Sequence, residues 1–93
     1  MKKKIAILGS TGSIGKSTLE VINKDKQNFD VILLTANNNY KKLIEQAKKF
    51  KVRNVIIKNN KYYIKVKNSL KNSKTKVYSG EISLKKIILK KLD

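Results

Sequence analysis

Lys4 to Leu8 (Lys-Ile-Ala-Ile-Leu) is a short apolar run with no alternation of polar residues through it. A run of that kind reads as a strand covered on both faces, as in a parallel sheet. From Ile14 the pattern changes. Ile14, Thr18 and Ile22, with Leu19 and Val21 beside them, recur at helical spacing and give way to the polar stretch Asn23 to Asn28. Phe29 to Thr35 is β-branched and apolar, which predicts a second strand. After a turn of asparagines, Leu43, Ile44, Ala47 and Phe50 mark one face of an amphipathic helix, and Val52 to Ile57 predicts a third strand. The order is therefore βαβαβ. Beyond Lys58 the pattern weakens to a helix around Tyr62 to Leu70, a brief strand at Lys76 to Tyr78 and a Lys-rich helix from Ile82 to Leu92.

Strands alternating with helices predict a parallel sheet with right-handed crossovers. We therefore expect an α/β, Rossmann-like sheet with helices on both faces, truncated after three to four strands. Between the first strand and first helix lies Gly9-Ser10-Thr11-Gly12-Ser13-Ile14-Gly15. Glycine permits a tight turn and close approach of backbone to a pyrophosphate, which the N–H groups and dipole of the following helix attract. Ser10, Thr11 and Ser13 add hydroxyl donors. The spacing is G-x-x-G-x-x-G, a variant common in NADP-using enzymes. A plain glycine turn joining strand to helix is the competing structural reading. A P-loop is another, because Gly15-Lys16-Ser17 matches the end of that motif, but the motif's first glycine falls on Ser10.

The end of the second strand bears on the ribose. An NAD site places a carboxylate there, but the sequence has Thr35-Ala36-Asn37-Asn38-Asn39, with the nearest acid, Asp30, at the strand's start. Amide donors, with Lys41 or Lys42 adding charge, favour NADPH over NADH. Ala36, Asn37, Asn38 and Asn39 join the glycine loop as candidate cofactor-binding residues.

Composition narrows the chemistry. The 93 residues make at most one domain and contain no Cys and no His, which removes thiolate and imidazole as nucleophiles, bases and metal ligands. No catalytic or metal-ligating residue is identified. The apolar start is too short for a signal peptide or a membrane span, so a cytoplasmic location and no membrane partner are expected. The net charge of +17 invites a polyanion-binding reading, in which the glycine loop is a relic of a non-enzymatic, decaying fragment. Against it, the 23 basic residues include a single Arg, Arg53, whereas base readout favours the guanidinium fork. No specific nucleic-acid partner is expected.

The run Lys4 to Gly15, with Ser17-Thr18-Leu19-Glu20-Val21-Ile22, Phe29-Asp30-Val31 and Glu45-Gln46-Ala47, closely resembles the amino terminus of the 1-deoxy-D-xylulose 5-phosphate reductoisomerase family. Such enzymes use NADPH and a divalent metal, Mg or Mn, to rearrange and reduce their substrate to 2-C-methyl-D-erythritol 4-phosphate in the non-mevalonate isoprenoid pathway. The resemblance implies that Thr11, Gly12, Ser13 and Ile14 meet the pyrophosphate region and that Asn37 to Asn39 lie at the 2′-phosphate. It covers roughly residues 1 to 58. One departure stands out: where the family usually has Ala-Gly-Lys-Asn, Asn37 replaces the glycine and Asn38 the basic residue. Losing a charge-assisted bond to phosphate costs about 1.5 to 3 kcal/mol, or roughly ten- to a hundred-fold in affinity. The metal ligands and substrate residues of the family lie downstream. The expectation is thus a partial NADPH-binding domain over residues 1–93, without the catalytic metal-binding and C-terminal domains, inactive alone unless a separately encoded catalytic portion completes it.

Overall fold

The computed structural model describes residues 2–80. Four parallel strands make one sheet in the order β1-β2-β3-β4: β1 is Lys3–Ile7, β2 Phe29–Ala36, β3 Asn54–Ile57 and β4 Lys76–Ser79. Three helices make the crossovers, α1 (Ser13–Asn23), α2 (Tyr40–Phe50) and α3 (Tyr63–Ser69). Every crossover steps the same way across the sheet, and right-handed connections then set the three helices on one face. The core agrees. Leu19 and Ile22 of α1, Leu43 and Ala47 of α2, and Val66 of α3 share one cluster with Ile7, Leu34, Val55 and Ile57. Each fully buried aliphatic side chain there is worth about 1.5–3 kcal/mol of transfer free energy.

Strand alternation turns the intervening residues to the other face, where Leu33 and Ile56 are fully buried and Tyr78 packs against them. The parallel Rossmann-like sheet matches the sequence pattern. Among the described residues its helices occupy one face; the helix expected over Ile82 to Leu92 lies outside those residues.

Two local features were not foreseen. The pairing of β1 with β2 slips between Ile5–Val31 and Ala6–Leu33, so that Ile32 is an extra residue on β2. A bulge leaves a backbone group without its ladder partner. Here the buried Asn54 side chain donates its Nδ2 to the Ile32 carbonyl at 2.9 Å. The third strand also begins later than Val52. Lys51 ends α2 in the left-handed conformation at φ 51°, and Val52 closes that helix end by donating its N–H to the Ala47 carbonyl at 3.1 Å.

Candidate functional site

All four strands point their C-terminal ends to one edge of the sheet, the edge where open α/β sheets bind ligands. Two turns lie there side by side. The first leaves β1 through Gly9, whose φ of +74° is a left-handed conformation that suits glycine. It is pinned to the end of β2, because Gly9 donates its N–H to Thr35 Oγ1 at 2.9 Å and Ser10 donates its N–H to the Thr35 carbonyl at 2.8 Å. It is also pinned to α2: the buried Ser10 hydroxyl donates to Gln46 Oε1 at 2.7 Å, and Gln46 Nε2 donates back to the Ser10 carbonyl at 2.9 Å.

Gly15 explains the close packing of α1 on this turn. A Cβ there would stand 2.5 Å from the Gly9 carbonyl oxygen and 2.6 Å from Ser10 Cα, both backbone atoms. Gly12 is different. It is exposed and extended, and an added Cβ would meet the Gly9 carbonyl oxygen at an ordinary 3.6 Å. Packing within the chain therefore does not require glycine at this position; the space it leaves open is the approach to the helix. Gly12 is the residue preceding α1, and no side chain caps that helix. Its opening N–H groups and positive dipole end face a concavity of about 460 Å³ bordered by Gly9, Gly12, Ser13 and Ile14. Ile14 is 84% exposed there.

The second turn, Asn37 to Asn39, is exposed throughout. Asn39 caps α2, its Oδ1 accepting from the Lys42 N–H at 3.2 Å. The turn is latched to the residues after β3: Lys58 donates its N–H to the Ala36 carbonyl at 2.8 Å, Asn59 its N–H to the Asn37 carbonyl at 3.0 Å, and Asn59 Nδ2 donates to Asn38 Oδ1 at 2.8 Å. Beside it Tyr40 and Tyr62 stack with ring centroids 4.6 Å apart, and Lys65 Nζ lies 5.3 Å and 5.9 Å from their centroids.

The sequence-derived candidates thus divide. Gly12, Ser13 and Ile14 line the open helix start, with Thr11 half-buried before them. Ser10 and Gly15 are buried and hold the turn in shape, so the Ser10 hydroxyl expected as a ligand donor is committed to Gln46. Ala36 is likewise buried in the helix-side core, with its carbonyl bonded to Lys58. Lys16 borders a groove between α1 and α2 and does not border the concavity over the turn, which removes the P-loop reading. Thr35, Gln46 and Asn59 were not singled out as site residues from sequence. Gln46 carried a signal, since it interrupts the apolar stripe Leu43, Ala47, Phe50 of an amphipathic helix.

Among the described residues no group of three His, Cys, Asp or Glu side chains could hold a metal ion, and no helix is long and apolar enough to cross a membrane.

Comparison with known proteins places this geometry. A family model described as 1-deoxy-D-xylulose 5-phosphate reductoisomerase matches residues 5–93. The enzyme of that name from Pelagibacter ubique is 53% identical over 85 residues, 91% of this chain and 22% of the relative; that from Phocaeicola vulgatus is 47% identical over 88 residues, 95% and 23%. The solved structure of the Zymomonas mobilis reductoisomerase in complex with NADPH superposes with a TM-score of 0.87 at 34% identity, covering 90% of this chain and 22% of that one. A reductoisomerase crystallised with NADPH, fosmidomycin and magnesium gives 0.88 at 27% identity, covering 97% and 22%. The chain thus spans about a fifth of the length of the relatives it matches. With a family match over residues 5–93 and a close structural match at 34% identity, the chain belongs to the 1-deoxy-D-xylulose 5-phosphate reductoisomerase family.

Proposed function

We propose that this chain is the NADPH-binding portion of a 1-deoxy-D-xylulose 5-phosphate reductoisomerase, with the nucleotide's pyrophosphate at Gly12, Ser13 and Ile14 and its ribose phosphate at Asn37 to Asn39. The observation that carries this reading is the uncapped start of α1, where Gly12 keeps the approach clear and no carboxylate occupies the first turn. An anion there gains N–H donors and the favourable end of the helix dipole. Thr11 completes the loop over which the phosphates pass.

When bound, NADPH supplies hydride to the substrate; these residues hold and orient the cofactor. The divalent metal of the family enzyme needs ligands other than the described residues, which offer no such group. The described residues thus read as a nucleotide-binding module, and turnover requires metal-binding and substrate-binding residues beyond them, including any that are encoded separately.

Titration of NADPH into the purified chain, followed by nucleotide fluorescence at low and physiological salt, tests this. Saturable binding that prefers NADPH to NADH and is abolished by Gly12→Asp, with the melting temperature retained, is the expected result. Equal, salt-sensitive binding of any polyanion, or no binding, overturns it.

A further inference from the structure

The Asn37 to Asn39 turn contains no cation, although a 2′-phosphate carries up to two negative charges there. Three lysines of the flanking segments, Lys42, Lys61 and Lys65, are engaged in other contacts. Lys42 pairs with Glu45 at 3.6 Å and borders the groove between α1 and α2. Lys61 and Lys65 rest on the faces of the Tyr40 and Tyr62 rings. Lys41 is exposed on the first turn of α2, past the Asn39 cap.

Lys58 differs from all of these. The parallel register of β2 and β3 ends at Ala36 with Ile57, and beyond it the bonds from Lys58 N–H to the Ala36 carbonyl and from Asn59 N–H to the Asn37 carbonyl tie the turn after β3 to the asparagine turn. Lys58 thereby lies beside the start of the asparagine turn, with its N–H 2.8 Å from the Ala36 carbonyl. Ala36 and Ile57 close the two strands in the helix-side core, and Asn37 and Lys58 are the first residues past them. Lys58 is half-buried, and its ammonium has no ion pair and no ring contact among the described residues. Asn59, next to it, is the residue that ties the two turns together through Asn38.

We propose that Lys58 supplies the positive charge that recognises the 2′-phosphate of the nucleotide at the asparagine turn, and that Asn59 positions it by locking the two turns in register. The proposal rests on the NADPH-binding reading above and adds the residue that sets preference for a phosphorylated ribose. A cation delivered from the turn after β3 serves the same electrostatic purpose as one within the asparagine turn itself, because a lysine ammonium acts as a point charge on a long stem. Nothing about the pyrophosphate loop depends on it.

Calorimetric titration of the purified chain with 2′,5′-ADP and with 5′-ADP separates the two ideas. Lys58→Gln is expected to lose at least ten-fold in affinity for 2′,5′-ADP while binding 5′-ADP within about two-fold of the unsubstituted chain, and Lys58→Arg to retain the preference. Asn59→Ala lowers the same preference by a smaller factor, and Lys41→Gln leaves it within about three-fold. An unchanged preference in Lys58→Gln, or its loss in Lys41→Gln instead, overturns the assignment of Lys58 while leaving the nucleotide-binding reading intact. Failure of the unsubstituted chain to bind either nucleotide overturns that reading, and this assignment with it.

Discussion

The turn after β1 is clamped by buried side chains, whereas the turn after β2, at the same edge of the same sheet, is held by backbone bonds to the residues after β3 together with exposed amide side chains. In the first, Gly9 and Ser10 bond Thr35 and Gln46 while Gly15 packs on the Gly9 and Ser10 backbone, and the helix that follows has no cap of its own. In the second, Asn39 caps its own helix and Asn38 bonds Asn59 across the surface. A capped helix start has already satisfied donors that an anion would use; an uncapped one has not. On the proposed function, the difference suits α1 to the phosphate-rich middle of the dinucleotide. It leaves the second turn to read a peripheral group through side chains, which are easily exchanged in evolution. Stability should therefore reside in the first turn and specificity in the second.

The largest expected effect is at Gly15. In Gly15→Ala the methyl group meets three backbone atoms that cannot move without shifting α1 away from the turn. Overpacking of that kind costs about 3 kcal/mol or more, a large share of the stability of a domain this small. Urea denaturation followed by far-UV circular dichroism should show the midpoint collapse. A variant within about 1 kcal/mol of the parent would mean that the turn is pliant, and the contrast between the two turns would fail.

Next is Gln46. Gln46→Leu keeps the volume but strips the buried Ser10 carbonyl and hydroxyl of their partner on α2, at a cost of about 2 kcal/mol. Ser10→Ala in the same background measures the coupling. The two should be strongly non-additive, because each removes the same hydroxyl-to-amide bond. Strict additivity would show that the clamp contributes nothing beyond packing.

This clamp also marks where reading the sequence stopped. The glycine loop was legible because an apolar strand, a cluster of spaced glycines and an amphipathic helix are contiguous, although the strand is not covered on both faces as its apolar run suggested: among the described residues Ala6 and Leu8 are exposed. The partners that fix the loop are 25 to 36 residues away along the chain. Thr35 and Gln46 join it only because the parallel sheet brings the ends of β1 and β2 together under α2. The bulge at Ile32 was hidden for a related reason, since an extra residue in a uniformly apolar strand changes no visible periodicity. At the asparagine turn, residue type alone left Lys41 and Lys42 as the cations to consider. The register of β2 with β3 is what brings Lys58 into place.

A smaller effect is expected at the cap. Asn39→Ala removes the acceptor for the Lys42 N–H at the start of α2, a loss of about 1 kcal/mol, and Asn39→Asp restores it. In thermal melts the alanine variant should fall by roughly 4–8 °C. The same substitution at the other helix start has no counterpart, because Gly12 offers no side-chain cap to remove. If Gly12→Ser raised the melting temperature while weakening NADPH, it would show a cap and a ligand competing for the same N–H groups.

The smallest effect on stability is expected at the latch, and it sharpens the comparison most. Asn38 and Asn59 are both exposed, so their bond exchanges protein for water with little net gain, and a double-mutant cycle of Asn38→Ala and Asn59→Ala should give a coupling of about 0.5 kcal/mol or less in denaturation. The same cycle read by 2′,5′-ADP affinity has a different expectation. If the latch fixes where Lys58 stands, either alanine variant should weaken the phosphorylated nucleotide while sparing 5′-ADP, and the second substitution should add little to the first. Coupling in binding without coupling in stability is the signature of a surface whose order matters only to a ligand. Coupling in stability alone would instead make the asparagine turn another structural joint like the one after β1.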